Sequence, residues 1–187
     1  MSRSGCVIWT YSGKQVDLSK PDRRDIDIAD IARSLGNQCR FNGHVSSYYS
    51  VAEHSVHVSC LVPEEDALWG LLHDAAEAYV GDVVRPVRRH PLLHGFSELE
   101  EAVLGAVASA FYLRLPIPET VIQADQAMLA AEKAVLLPRF PAGEPDSASC
   151  DLRRLIRCWE PETAARKFLA RFDDLVLGPA TGRLPYV

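Results

Sequence analysis

Residues 71–82 read LLHDAAEAYVGD and follow on ALWG in 67–70. The run is apolar and alanine-rich, has no β-branched residue before Val80, and carries the helical period. Glu64, Glu65 and Asp66 suit the positive end of a helix dipole and Gly81 stops the pattern, so the spacing predicts one helix over 66–79. Such a helix belongs in a core. Yet it carries His73, Asp74 and Glu77, groups that cost several kcal/mol to bury without partners. A metal ion would supply the partner. In a regular helix His73 and Glu77 share a face, whereas His73 and Asp74 diverge by roughly 100° and meet on one ion only at the helix surface. On spacing alone, a helix-terminal ion pair explains His73 and Asp74 equally well.

Upstream, residues 49–62 have mixed three- and four-residue apolar spacing until Pro63, and residues 25–35 form a short amphipathic helix with Gly36 and Asn37 to end it. Residues 37–47 are a polar loop. Residues 7–18 alternate around Ser12-Gly13, which predicts a short β hairpin or an extended lead-in within 1–20. Downstream, GDVVRPVRRHP (81–91) has two prolines and reads as largely a loop, locally basic. Helices follow over 98–112 and 118–137, the second with Pro118 near its first position. A Pro/Gly/Ser connector spans 138–150, and a last helical stretch over 151–177 breaks at Pro161. The expected fold is an all-α bundle with a short N-terminal β hairpin or lead-in, one domain over 1–187. The acidic stretch DRRDIDIAD (22–30) reads as a solvated helix face. Trp69 and Tyr79 read as core.

With 187 residues, 48% hydrophobic and 24% charged, the chain is neither collagen-like nor largely disordered. Its 20 Lys+Arg against 25 Asp+Glu give a formal charge of -5, which argues against a nucleic-acid polymer as partner and favours a small molecule. Five irregularly spaced cysteines without a CxxC pair read as reduced thiols. The first residues lack a signal-peptide core, and the longest apolar stretch, Ala102 to Leu113, is too short for a bilayer. A cytoplasmic protein with no membrane partner is therefore expected.

One helix cannot close a coordination shell. Two other misplaced polar residues offer themselves: His54, mid-helix in YSVAEHSVHVS, and Asp125, which interrupts TVIQADQAMLAAE. Two histidines and two aspartates without a thiolate point to one divalent ion, Co, Mn, Fe, Ni, Mg or Zn, with open positions. His57 reads as a core histidine, His90 and His94 as loop surface, and His44 as either a phosphate contact or a structural residue.

In the order TYSGKQVDL, DIDIADIA, QCRFNGH, YSVAEHS, LLHDAAEAYVGD and QAD, from about Tyr11 to Leu137, the chain resembles the HD-domain metal-dependent phosphohydrolases. It is most similar to the bacterial 5′-deoxynucleotidase-like branch and to phage enzymes that hydrolyse dATP. The resemblance implies that His54, His73, Asp74 and Asp125 ligate one catalytic divalent ion. It implies that Glu77 handles a proton of the attacking water, that Asp82 contacts the sugar or positions the site, and that Arg40 holds phosphate. Arg88 stands where relatives often carry lysine and is expected on phosphate too. Two departures concern selectivity. Phe41 replaces a tryptophan that lies against the sugar, and Ile122 stands where some relatives supply a lysine to phosphate. Arg85, Arg88, Arg89 and His90 form a basic loop beside the site.

The expected activity is hydrolysis of a nucleoside 5′-monophosphate to nucleoside and phosphate. The alternatives are a nucleoside triphosphate triphosphohydrolase and a nucleotide-binding HD module without turnover. A homodimer is the assembly the resemblance suggests.

Overall fold

A computed structural model describes residues 5–137 and 150–178. The hairpin is present: β1 (Val7–Trp9) pairs antiparallel with β2 (Gln15–Asp17), Ile8 opposite Val16. Its turn is anchored on a helix, because the Ser12 backbone N–H and hydroxyl each donate at 2.7 Å to a different carboxylate oxygen of Asp30. Asp30 is buried. The expectation that 22–30 is a solvated face therefore fails at this residue, for which the hairpin supplies both partners.

The rest is helical. The Asp27 carboxylate accepts from the Ala29 N–H and starts α1 (Ile28–Asn37), and Ser50 caps α2 (Val51–Leu61) by accepting from the Glu53 N–H. After an acidic 3-10 turn come α3 (Ala67–Leu72), α4 (Glu77–Val80), α5 (Arg85–Arg88), α6 (Phe96–Ala110) and α7 (Glu119–Leu136). Beyond the connector lie α8 (Cys150–Arg153) and α9 (Pro161–Leu177), with the break expected before Pro161. The α9 helix lies on α1. The approach needs Gly36, where a Cβ would meet the Pro161 carbonyl oxygen at 2.8 Å. Ile31, Leu35, Val51, Leu71, Leu72, Val107 and Phe168 form the main core; Val58, Trp69, Val121 and Met128 form a second cluster. Tyr79 is buried in the first and Trp69 in the second.

One further expectation is corrected. The single helix over 66–79 is interrupted after Leu72. There Ala75 N–H bonds Leu72 O and Glu77 N–H bonds Asp74 O, three residues back instead of four. The dihedrals stay helical at His73 and Ala76, so the strand of backbone is tightened into a 3-10-like turn and not unwound. At about three residues per turn it is Asp74, not His73, that lines up with Glu77. The segment 81–91 is loop apart from the short α5 and the start of a 3-10 turn at Pro91; α5 accommodates Pro86 in its first turn, where no amide donor is needed. Pro118 stands next to the first residue of α7, as its cap. Residues 138–149 of the expected connector, and the tail, lie outside the described residues. Among the described residues, no helix is long and apolar enough to cross a membrane.

Candidate functional site

Three elements converge on one point. The middle of α2 supplies His54, fully buried; the tight turn after α3 supplies His73 and Asp74; α7 supplies Asp125. His73 Nε2 lies 3.2 Å from Asp74 Oδ2, and His54 Nε2 lies 3.7 Å from the same oxygen. The two imidazoles sit 5.3 Å apart, centroid to centroid. One ligand atom each from His54, His73 and Asp74 fall within 4.8 Å of one another. Asp125 reaches His54 Nε2 at 3.2 Å but stands outside that trio, its other oxygen 3.3 Å from Arg85.

Backbone and carboxylate partners decide which ring nitrogens face inward. His73 Nδ1 donates to the Gly70 carbonyl at 2.8 Å, and His54 Nδ1 lies 2.6 Å from Glu132 Oε1. Both Nε2 atoms are thereby turned to the cluster. Both are buried, and neither has an aligned hydrogen-bond partner. Two such nitrogens beside two carboxylates fit a divalent cation, each histidine held through its outer nitrogen as metal-binding histidines usually are.

The field here is strong. Burial and Arg40 push the His54 imidazole down, but Glu132 and Asp125 outweigh them and raise it to about 9. Burial opposes the charge on Asp74, yet His73, His54 and Arg40 hold its carboxyl below the usual carboxylate range. Burial pushes Glu77 well up, reinforced by Asp74 and Asp82. Asp82 and Glu100 are also raised by burial.

A cavity of about 730 Å³ opens from this cluster, a size that suits a small-molecule ligand. Arg40, Phe41, His44, Glu77, Asp82, Arg85 and Arg88 line it with His73, Asp74 and Asp125; apolar walls come from Val83, Leu104, Ile117 and Leu129. Arg40 is buried, its Nε 3.0 Å from Glu132 and its Nη1 3.5 Å from Asp74. Phe41 and Asn42 follow with φ of 57° and 52°. The loop that carries them is fixed at both ends, by Arg40 N–H to Tyr49 O and by Ser46 N–H to Leu136 O. Left-handed backbone at a phenylalanine costs of order 1–3 kcal/mol and places its ring beside Arg40, whose guanidinium lies 5.8 Å from the ring centre. Arg88 lines the cavity, but its fork is engaged by Glu100 at 2.5 Å, Glu77 at 3.7 Å and the Val83 carbonyl at 3.3 Å.

Glu77 and Asp82 flank a turn at Gly81, with φ 86° and ψ 152°, a region only glycine occupies without strain. Gln38 clamps that turn, accepting from the Asp82 N–H at 2.9 Å and donating to the Glu77 carbonyl at 3.0 Å. Ile122 is exposed at the rim, and Glu77 Oε2 is buried without a hydrogen bond.

His57 lies apart from the cluster. It packs on Trp159 and stands 3.4 Å from Glu53, while His90 and His94 are exposed. Glu53 itself, fully buried, accepts the backbone N–H groups of Arg157, Cys158 and Trp159 at 2.6–3.0 Å. Glu132, Gln38 and Glu53 were not readable as site or support residues from local pattern. For Glu132 a signal existed: it falls seven residues after Asp125, two turns along the same face of α7.

The chain is 44% identical over 176 residues to the uncharacterized protein YfdR of Escherichia coli K12, a match that covers 90% of this chain and 94% of the relative. It is 35% identical over 147 residues to an uncharacterized protein of Rhodobacter capsulatus, covering 72% and 74%. No family model matches.

Proposed function

The chain belongs to the same family as Escherichia coli YfdR, and we propose that it is an HD-type, metal-dependent phosphohydrolase that cleaves nucleoside 5′-monophosphates to nucleoside and phosphate. The observation that carries this reading is the pair of buried Nε2 atoms of His54 and His73, neither in an aligned hydrogen bond, turned together toward Asp74. His54, His73, Asp74 and Asp125 would hold the ion. A divalent ion in that position lowers the pKa of water and polarises a phosphoryl oxygen.

The chain's own residues do the rest. Arg40 presents its guanidinium at the cavity wall, where its Nη atoms can take phosphate oxygens while Glu132 holds Nε. Glu77 carries the buried Oε2 at which a proton is accepted and passed on. Asp82, one residue past the glycine turn, faces the cavity as an acceptor for a sugar hydroxyl, and Phe41 offers an apolar face to the nucleoside.

Charge favours a monophosphate over a triphosphate. Six carboxylates line the cavity (Asp74, Glu77, Asp82, Glu100, Glu101, Asp125) against four cationic side chains (Arg40, Arg85, Arg88, Lys133). Each of the three arginines already faces a carboxylate of this chain. Even with one divalent cation added, the lining carries little net positive charge to set against a polyphosphate, which favours a phosphate dianion.

The test is turnover of a nucleotide panel by protein stripped with chelator and reloaded with Co²⁺ or Mn²⁺. Orthophosphate released from monophosphates, and only after reloading, is the expected result. Intact tripolyphosphate from a triphosphate would select the triphosphohydrolase, and tight nucleotide binding without any product would select a sensing module.

A further inference from the structure

We infer that Glu132 is a positioning residue that couples the ion site to the anion grip, one carboxylate orienting His54 through Nδ1 and Arg40 through Nε. The inference rests on the reading of the cavity given above and concerns a residue that appears there only as the partner of Arg40 Nε.

Glu132 lies near the end of α7 and is fully buried. Its Oε1 is 2.6 Å from His54 Nδ1 and its Oε2 is 3.0 Å from Arg40 Nε. Each oxygen thus takes a different side chain, and both partners face the cavity cluster with their remaining nitrogens. Asp125, two turns earlier on the same helix, touches the opposite ring nitrogen of His54. One helix therefore flanks both sides of the imidazole, so the ring is held on the axis between two carboxylates. Arg40 is tied into the same unit. Its Nη1 reaches Asp74 at 3.5 Å, which closes a loop of contacts Glu132–His54–Asp74–Arg40–Glu132. Any buried carboxylate needs both oxygens satisfied, as those of Glu53 are; what sets Glu132 apart is where its two partners point. Aimed at the two functions of the cavity, they make the ion site and the phosphate site respond together.

Glutamine is nearly isosteric with glutamate but offers one acceptor oxygen, so in Glu132→Gln either His54 or Arg40 meets an amide NH₂, a donor against a donor. Cobalt binding to the whole chain is measured by calorimetry and by the visible absorption of the bound ion, and inorganic phosphate binding is then measured at saturating cobalt. Expected for Glu132→Gln are a loss of about 10- to 100-fold in cobalt affinity, the usual range for an outer partner of a ligand histidine, together with an altered cobalt spectrum. Phosphate affinity of the cobalt-loaded variant should fall by about tenfold, as for loss of an oriented charge-assisted contact. In Arg40→Ala cobalt affinity should be retained while phosphate affinity falls, and adding Glu132→Gln to it should weaken phosphate by less than about threefold more, since the two residues act as one unit.

Wild-type cobalt and phosphate affinities in Glu132→Gln would overturn the inference and leave the proposed function standing. A wild-type chain that binds no divalent ion would overturn both. Should Glu132→Gln fail to fold, the zinc-loaded wild type decides: a downfield His54 Nδ1–H proton resonance supports the coupling, and its absence overturns it.

Discussion

Replacing Gln38 with alanine should separate the fold from the site by an amount that the contacts allow to be worked out. Gln38 is the residue after α1. Its side-chain oxygen accepts from the Asp82 N–H at 2.9 Å, and its amide donates to the Glu77 carbonyl and to the Ser34 hydroxyl, each at 3.0 Å. The Glu77 carbonyl keeps a second bond, from the Gly81 N–H at 2.8 Å, so it is not stranded. The Asp82 N–H loses its acceptor. One neutral hydrogen bond is worth about 1 kcal/mol and a stranded donor about 1–3 kcal/mol, which together give a loss of about 2–4 kcal/mol in Gln38→Ala. For a chain of this length each kcal/mol moves the melting temperature by about 2–4 °C, so a drop of about 4–16 °C is expected in a thermal melt followed by circular dichroism. Because the same bonds hold the turn between Glu77 and Asp82, kcat should fall by about 10- to 100-fold, the effect of an ångström-scale misplacement, while bound cobalt per chain stays at the wild-type level. A melting temperature within about 2 °C of wild type would refute the assignment of these bonds. A lowered melting temperature with unchanged kcat would refute the positioning role.

Three further outcomes follow from the same contacts. Asp74→Ala should abolish metal binding and activity while far-ultraviolet circular dichroism stays native, and elemental analysis that finds one tight divalent ion per chain would remove the central premise. Glu77→Ala should keep its metal and its KM while kcat falls by about 10² to 10⁴, and loss of the metal would move Glu77 into the ligand set. At Asp27, burial opposes ionisation, but the Lys14 ammonium at 3.0 Å and the Ala29 N–H hold the carboxyl below its ordinary value. The stability it contributes is thus complete above the unfolded carboxyl pKa and is lost as pH falls through the lower folded value. Asp27→Ala should cost about 0.5–2 kcal/mol in denaturant melts at pH 7, and the gap should narrow below pH ~3. A gap independent of pH would refute the charge assignment.

Much of the helical order was legible because apolar spacing and helix-end residues are local. Polar residues set inside apolar helices marked His54, His73, Asp74 and Asp125 before any coordinates. Glu132 carries the same mark, but a glutamate beside Lys133 near a helix end reads as a solvated pair. Asp30 misled for the opposite reason: its partner, Ser12, lies 18 residues away on a hairpin turn, a distance at which periodicity is silent. The tightening at His73–Ala76 was also hidden. Alanine-rich sequence is as content with a bond three residues back as four over one turn, so only the packing of the turn decides. Gln38 sat in a polar loop with no pattern to distinguish it from its neighbours.

The carboxylate of Glu53 has a consequence for anyone who would trim or fuse this protein. It occupies the position next to His54, and what satisfies it is backbone from the far end of the chain, the amides of residues 157–159. A fragment cut at residue 149 would keep every described side chain that lines the cavity, yet it would leave a buried anion bare one residue from a proposed ligand and would strip α9 from α1 at Gly36. The C-terminal helices, which touch no part of the cavity, are structurally indispensable to it.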